Sequence, residues 1–217
     1  MKLSDFQLVM FDLDGTLVDS ALDLHIALNL SLEEAGYPLV SLDDCRLWVG
    51  NGAEVLVNRA LQQTLDVSGS HFDLHRVLEL FYKHYSEING QHSELYEGTL
   101  ALLAQLKEAG CFVAIVTNKP EAPARVLIDQ KGLVVDMLVG GDTTQERKPN
   151  PLPLQHCMAH FGVSEDASVL VGDSINDFQA AHRAGVKVVG VSYGYNHGLP
   201  IDARNLDAFV DSLSELS

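Results

Sequence analysis

Three short apolar runs, each stopped by a polar residue, constrain this chain more than any other feature. Leu8-Val9-Met10-Phe11 ends in Asp12, Phe112-Val113-Ala114-Ile115-Val116 ends in Thr117, and Ser168-Val169-Leu170-Val171 ends in Gly172-Asp173. Each run is too short for a helix and apolar at successive positions, as strands covered on both faces of a parallel sheet must be. Asp136 to Val139 and Lys187 to Val191 are further strand candidates. Helical spacings fall between them: Leu100, Leu103 and Ala104; Val126 and Leu127; Ile175, Phe178 and Ala181. Strand and helix in alternation predict a doubly wound α/β domain. Ligands of such sheets gather at the carboxyl ends of the strands, which is where the polar residues stand.

Residues 20–90 break this alternation. Leu24, Leu28 and Leu32 recur every four residues, and Ala53, Leu56, Val57, Ala60 and Leu61 follow the spacing of an amphipathic helix. Another amphipathic stretch runs from His71 to Ile88, and no convincing strand is present. The expected architecture is an α/β core of residues 1–16 and 93–217, with residues 17–92 inserted after the first strand as an all-helical cap.

The 217 residues carry 30 acidic against 14 basic side chains, a formal charge of −16. Such a surface repels nucleic acid and anionic membranes, so neither is an expected partner. It also repels a small phosphorylated metabolite. A site for one must therefore be made locally positive by a metal ion, a lysine and backbone N–H groups. The N-terminus has no signal-peptide pattern, no run approaches the roughly 20 apolar residues of a membrane helix, and three scattered cysteines read as reduced thiols. Together they suggest a cytoplasmic protein. Nothing in the chain fixes its oligomeric state.

Asp12-Leu13-Asp14-Gly15-Thr16 is the strongest chemical signal. Two carboxylates that close raise each other's pKa unless a cation holds them. Magnesium would do so through one carboxylate and the backbone oxygen beside the other. Asp12 could then attack phosphorus while Asp14 handles the protons; the bland alternative is an Asx-turn ending a strand. Thr117-Asn118 offers a hydroxyl and an amide N–H to a phosphate oxygen, or simply caps the next helix. Lys148, fixed by Pro149, would offset phosphate charge, or it is a solvated lysine. Asp173 would be a further metal ligand. Asp177 would support the metal's waters, pair with Lys148, or close a capping box with Ser174.

These stretches resemble, in order, the four motifs of the haloacid dehalogenase superfamily, and the resemblance spans nearly the whole chain. It implies a Rossmann-like core with a helical cap, Mg²⁺ as cofactor and phosphoryl transfer to the first aspartate. By that resemblance Asp12 is nucleophile and ligand, Asp14 acid/base and backbone-oxygen ligand, and Asp173 a ligand. Thr117, Asn118 and Lys148 would hold the phosphoryl group. Within the superfamily the chain looks most like the phosphoglycolate phosphatases, on Val49-Gly50-Asn51-Gly52-Ala53, Arg59-Ala60-Leu61 and Tyr193-Gly194-Tyr195-Asn196. Gly50 and Gly52 would turn N–H groups toward a substrate carboxylate or merely open a helix, and Arg59 would contact substrate or solvent.

A phosphosugar mutase with the same nucleophile is the enzymatic rival, with Arg46, Arg59, Arg76 and Lys83 as the cap's cations; a non-enzymatic phosphometabolite-binding protein is the other. Asp14 argues against a dehalogenase, which lacks the second aspartate. The His71/His75 and His156/His160 pairs lack the acid of a zinc motif.

Overall fold

The computed structural model describes residues 1–68 and 72–216. Its core is a six-stranded parallel sheet of order β5-β4-β1-β6-β7-β8, built from β1 (Leu8–Phe11), β4 (Phe112–Val116), β5 (Met137–Val139), β6 (Ser168–Gly172), β7 (Lys187–Val191) and β8 (Ala208–Val210). The doubly wound expectation holds, and the physical reason lies in β1. Val9 and Phe11 pack on one face with α5 (Thr99–Glu108) and α6 (Glu121–Lys131); Leu8 and Met10 pack on the other with α7 (Leu152–Phe161) and α8 (Ile175–Ala184). A strand buried on both faces cannot alternate apolar with polar.

The chain runs from β1 outward through β4 and β5, then returns to β6 beside β1 and continues the other way. The register aligns Phe11 with both Ile115 and Val171. The residues that follow, at the ends of β1, β4 and β6, are therefore brought to one edge at the topological switch point.

The inserted segment contains α1 (Ala21–Ala35), α2 (Leu42–Trp48), α3 (Ala53–Ser68) and α4 (Leu74–Ile88). They share a separate core, including Leu28, Leu32, Val57, Leu61, Val77 and Phe81. The stretch expected from His71 begins as a helix at Leu74, behind the side-chain cap of Asp73; His71 itself lies outside the described residues. His75, His156 and His160 are exposed. None of the described helices is long and apolar enough to cross a membrane, and Cys45, Cys111 and Cys157 are buried free thiols.

Two short strands not expected from the sequence, β2 (Val18–Asp19) and β3 (Glu94–Leu95), pair antiparallel where the chain leaves and re-enters the core. Buried Asp23 reinforces that junction. Its carboxylate accepts from the backbone N–H groups of Gly90, His92 and Ser93 at 2.9–3.0 Å and from the Ser93 hydroxyl. Burial opposes its charge, but the hydrogen bonds from Ser93 and His92 outweigh burial and hold its carboxyl below the usual range.

Candidate active site

Asp12 follows β1 directly, and its backbone N–H donates to Val171 O, so the sheet ladder continues one residue into the site. Its carboxylate lies within 4.8 Å of those of Asp173 and Asp177, all three buried. Lys148 closes the group, with Nζ 2.9 Å from Asp12 Oδ1 and 2.6 Å from Asp177 Oδ1.

Electrostatics sets what this group can do. Burial pushes Asp12 up to about 7; Lys148 opposes the rise and Asp177 adds to it. Asp173 is raised well above the carboxylate range by burial and by Asp12 and Asp177. Burial disfavours the charge of Lys148, but Asp12 and Asp177 more than compensate and raise its pKa. With Asp12 raised to about 7, further positive charge beside it would favour its carboxylate form at neutral pH.

Asp14 points elsewhere. Its carboxylate is held by the Ser20 hydroxyl and by Lys119 Nζ at 2.9 and 3.1 Å. Counting Asp12, Asp14, Asp173 and Asp177 against Lys119 and Lys148, the carboxylates exceed the ammonium groups by the charge of one divalent cation. The buried aspartate cluster is thus chemically suited to a metal. Its carboxylate set is Asp12, Asp173 and Asp177; the expected set has Asp14 in place of Asp177, contributing a backbone oxygen.

Neighbouring residues orient Asp173. Thr16 Oγ1 donates to its Oδ1 at 2.8 Å and the Tyr195 backbone N–H to its Oδ2 at 2.6 Å. Gly15 makes the close approach possible: at φ +93°, a Cβ there would sit 2.9 Å from a Tyr195 ring carbon and against the Asp173 carboxylate. Asp177 also closes a capping box with Ser174 at the start of α8, so capping and pairing with Lys148 are combined in one side chain.

A cavity of about 50 Å³ lies between this edge and the cap. Asp12, Asp14, Thr117, Asn118 and Lys119 line it from the core; Val49, Gly50, Gly52, Leu56, Phe81 and Tyr85 line it from the cap. The Asn118 side-chain N–H groups are already used, one toward Gly50 O at 3.0 Å and one toward Lys148 O at 2.9 Å. Asn176 also donates to Gly50 O, at 3.2 Å, and to Asn51 Oδ1 at 2.9 Å. Gly50 therefore holds cap to core through its carbonyl. Arg59 does not reach the cavity; it donates to Trp48 O at 3.2 Å.

Several of these residues escaped the sequence reading. Ser20 and Asn176 carry no signal of their own, and Thr16 and Tyr195 sit inside recognised stretches without an assigned contact. Lys119 directly follows Thr117-Asn118, a position that could have been weighed.

Comparison with known proteins agrees with the geometry. Residues 9–191 match the family model described as haloacid dehalogenase-like hydrolase. A phosphoglycolate phosphatase of Vibrio parahaemolyticus is 43% identical across 100% of this chain and 96% of its own. One from Pseudomonas savastanoi pv. phaseolicola is 44% identical across 97% of this chain and 78% of its own. The crystal structure of a predicted phosphoglycolate phosphatase from Haemophilus somnus 129PT superposes with a TM-score of 0.93 at 34% identity, covering 98% of this chain and 96% of that one. Kinship along the whole length thus accompanies the strand-end geometry, and the chain belongs to the haloacid dehalogenase-like hydrolases, as a phosphoric monoester hydrolase.

Proposed function

We propose that the protein hydrolyses 2-phosphoglycolate to glycolate and phosphate, with Mg²⁺ as its metal and Asp12 as nucleophile. The observation that carries this reading is buried Asp12, with Lys148 against one oxygen and Asp173 and Asp177 within reach, in a chain 43% identical to a phosphoglycolate phosphatase along its length. Asp12 and Asp173 would hold the ion, with the Asp14 backbone oxygen, and Asp177 beside them. When bound, Mg²⁺ supplies charge that keeps the carboxylates ionised and offsets that of the phosphoryl oxygens.

The residues divide the remaining work. Asp12 attacks phosphorus, forming a P–O bond as the ester P–O bond breaks, and the leaving oxygen takes that electron pair together with a proton from Asp14. Water then attacks the aspartyl phosphate, Asp14 takes a proton from it, and Asp12 is released as a carboxylate. Lys148 neutralises charge beside Asp12, while Thr117 and Asn118 border the phosphoryl position. The apolar cap wall limits the water that reaches the intermediate.

The cap's cations speak against the mutase reading. Arg46 is paired with Asp19 at 2.9 Å, Arg59 with Trp48 O and Lys83 with Glu34 at 3.3 Å, Arg76 is exposed, and none lines the cavity to meet a second phosphate. The test is phosphate release from phosphoglycolate, sugar phosphates and pyrophosphate side by side, before and after chelation. Phosphoglycolate should lead, chelation should abolish turnover, and Asp12→Asn should leave a folded, inactive protein. A preferred sugar phosphate, or turnover by Asp12→Asn, would remove the proposal.

A further inference from the structure

Lys119 is only 7% exposed, yet it stands at the cavity rather than within the Asp12–Lys148 group. Two of its contacts go to the two oxygens of Asp14. An ammonium has three protons, so one donor remains. Its Nζ lies 4.9 Å from the centroid of the Tyr85 ring on α4 of the cap. Tyr85 is 4% exposed and also lines the cavity; its hydroxyl faces the Lys119 ammonium but has no hydrogen bond of ordinary geometry among the described residues. A buried hydroxyl left unpaired is costly and calls for an explanation.

We propose that Lys119 and Tyr85 together form the seat for the substrate's carboxylate, so that this enzyme selects small phosphate esters bearing a carboxylate close to the ester oxygen. The inference rests on the phosphatase reading above and deepens it. Both groups can donate to an anion, one with a full charge. Leu24, Val49, Leu56 and Phe81 line the same cavity and offer no hydrogen-bond partner to the hydroxyls of a sugar. The cavity volume of about 50 Å³ suits a substituent of a few atoms. Lys119 comes from the core and Tyr85 from the cap, so the seat is complete only with the cap over the core.

The experiment compares kcat/KM for 2-phosphoglycolate, 2-phospholactate and 3-phosphoglycerate with that for 2-hydroxyethyl phosphate, which has a hydroxymethyl group where phosphoglycolate has its carboxylate. Wild type, Lys119→Met and Tyr85→Phe are measured. The readout is the ratio of carboxylated to uncharged ester, because Lys119→Met also disturbs Asp14 and will slow every substrate. The ratio should fall about 10- to 100-fold in Lys119→Met and about tenfold in Tyr85→Phe. Should Lys119→Met fail to fold, Tyr85→Phe, which removes one oxygen, decides. Parallel losses on all esters in both variants would overturn the seat, as would a wild-type enzyme that turns over no carboxylated ester faster than 2-hydroxyethyl phosphate. A wild-type preference for phospholactate or phosphoglycerate, lost in the variants, would support the seat while removing phosphoglycolate as the substrate.

Discussion

Stripping the protein of divalent cations should make its stability depend on pH in a direction opposite to ordinary acid unfolding. Asp12 is raised from 3.8 to about 7, chiefly by burial. Between those values the folded state carries a proton that the unfolded chain has lost. Stability must therefore fall as pH rises through that window, with the full loss present above 7 and none below 3.8. At about 1.4 kcal/mol per pH unit the loss is about 4 kcal/mol, and for a chain of this size each kcal/mol corresponds to about 2–4 °C. Chelator-treated protein should thus melt about 10 °C lower near pH 8 than near pH 5. Asp173, raised by burial and by Asp12, pushes in the same direction. Adding Mg²⁺ should restore stability near pH 8 and do little near pH 5, since the cation competes with protons for the same oxygens. Thermal unfolding of Asp12→Asn isolates the effect from every other pH-dependent group: without a carboxyl at position 12, the metal-free protein should melt higher than wild type near pH 8 and its slope should flatten. Identical slopes in wild type and Asp12→Asn would refute the reasoning.

Gly15→Ala forces a methyl against Asp173 and Tyr195 at a backbone angle of +93°; the Mg²⁺ concentration for half-maximal activity should rise at least about tenfold, and an unchanged metal titration would show that Asp173 does not depend on this approach. Asp23→Ala leaves three buried or part-buried backbone N–H groups at the cap junction without their acceptor; a loss of about 3 kcal/mol, read by urea denaturation, is expected, and a loss below about 1 kcal/mol would mean that the junction finds other partners.

What could be read from the sequence divides according to how each group is positioned. Asp12, Thr117 and Asp173 were legible because a parallel sheet carries every strand end to one edge, so a local pattern of apolar run and polar stop already implies convergence. β8 was not legible, since it lies at the sheet edge with Phe209 39% exposed and shows no run buried on both faces. β2 and β3 have two residues each, too few for any period, and exist only because Val18 meets Leu95 across the whole insert.

Lys119 illustrates the other limit. A lysine entering a helix reads as solvated by residue type, and its burial arises from two distant elements, Asp14 beyond β1 and Tyr85 on α4. Gly50 acts through a carbonyl that every residue possesses, so its identity pointed to a turn and not to the two asparagines that grip it. Both cases belong to the interface between cap and core. Residues there are placed by the packing of α1 to α4, which many apolar sequences satisfy equally well, whereas residues at strand ends are placed by register, which a one-residue slip would destroy. A hydrolase built this way can keep its phosphoryl chemistry at the sheet edge while the cap alters what that chemistry acts on. The groups that choose the substrate are then the ones that local sequence patterns identify least well.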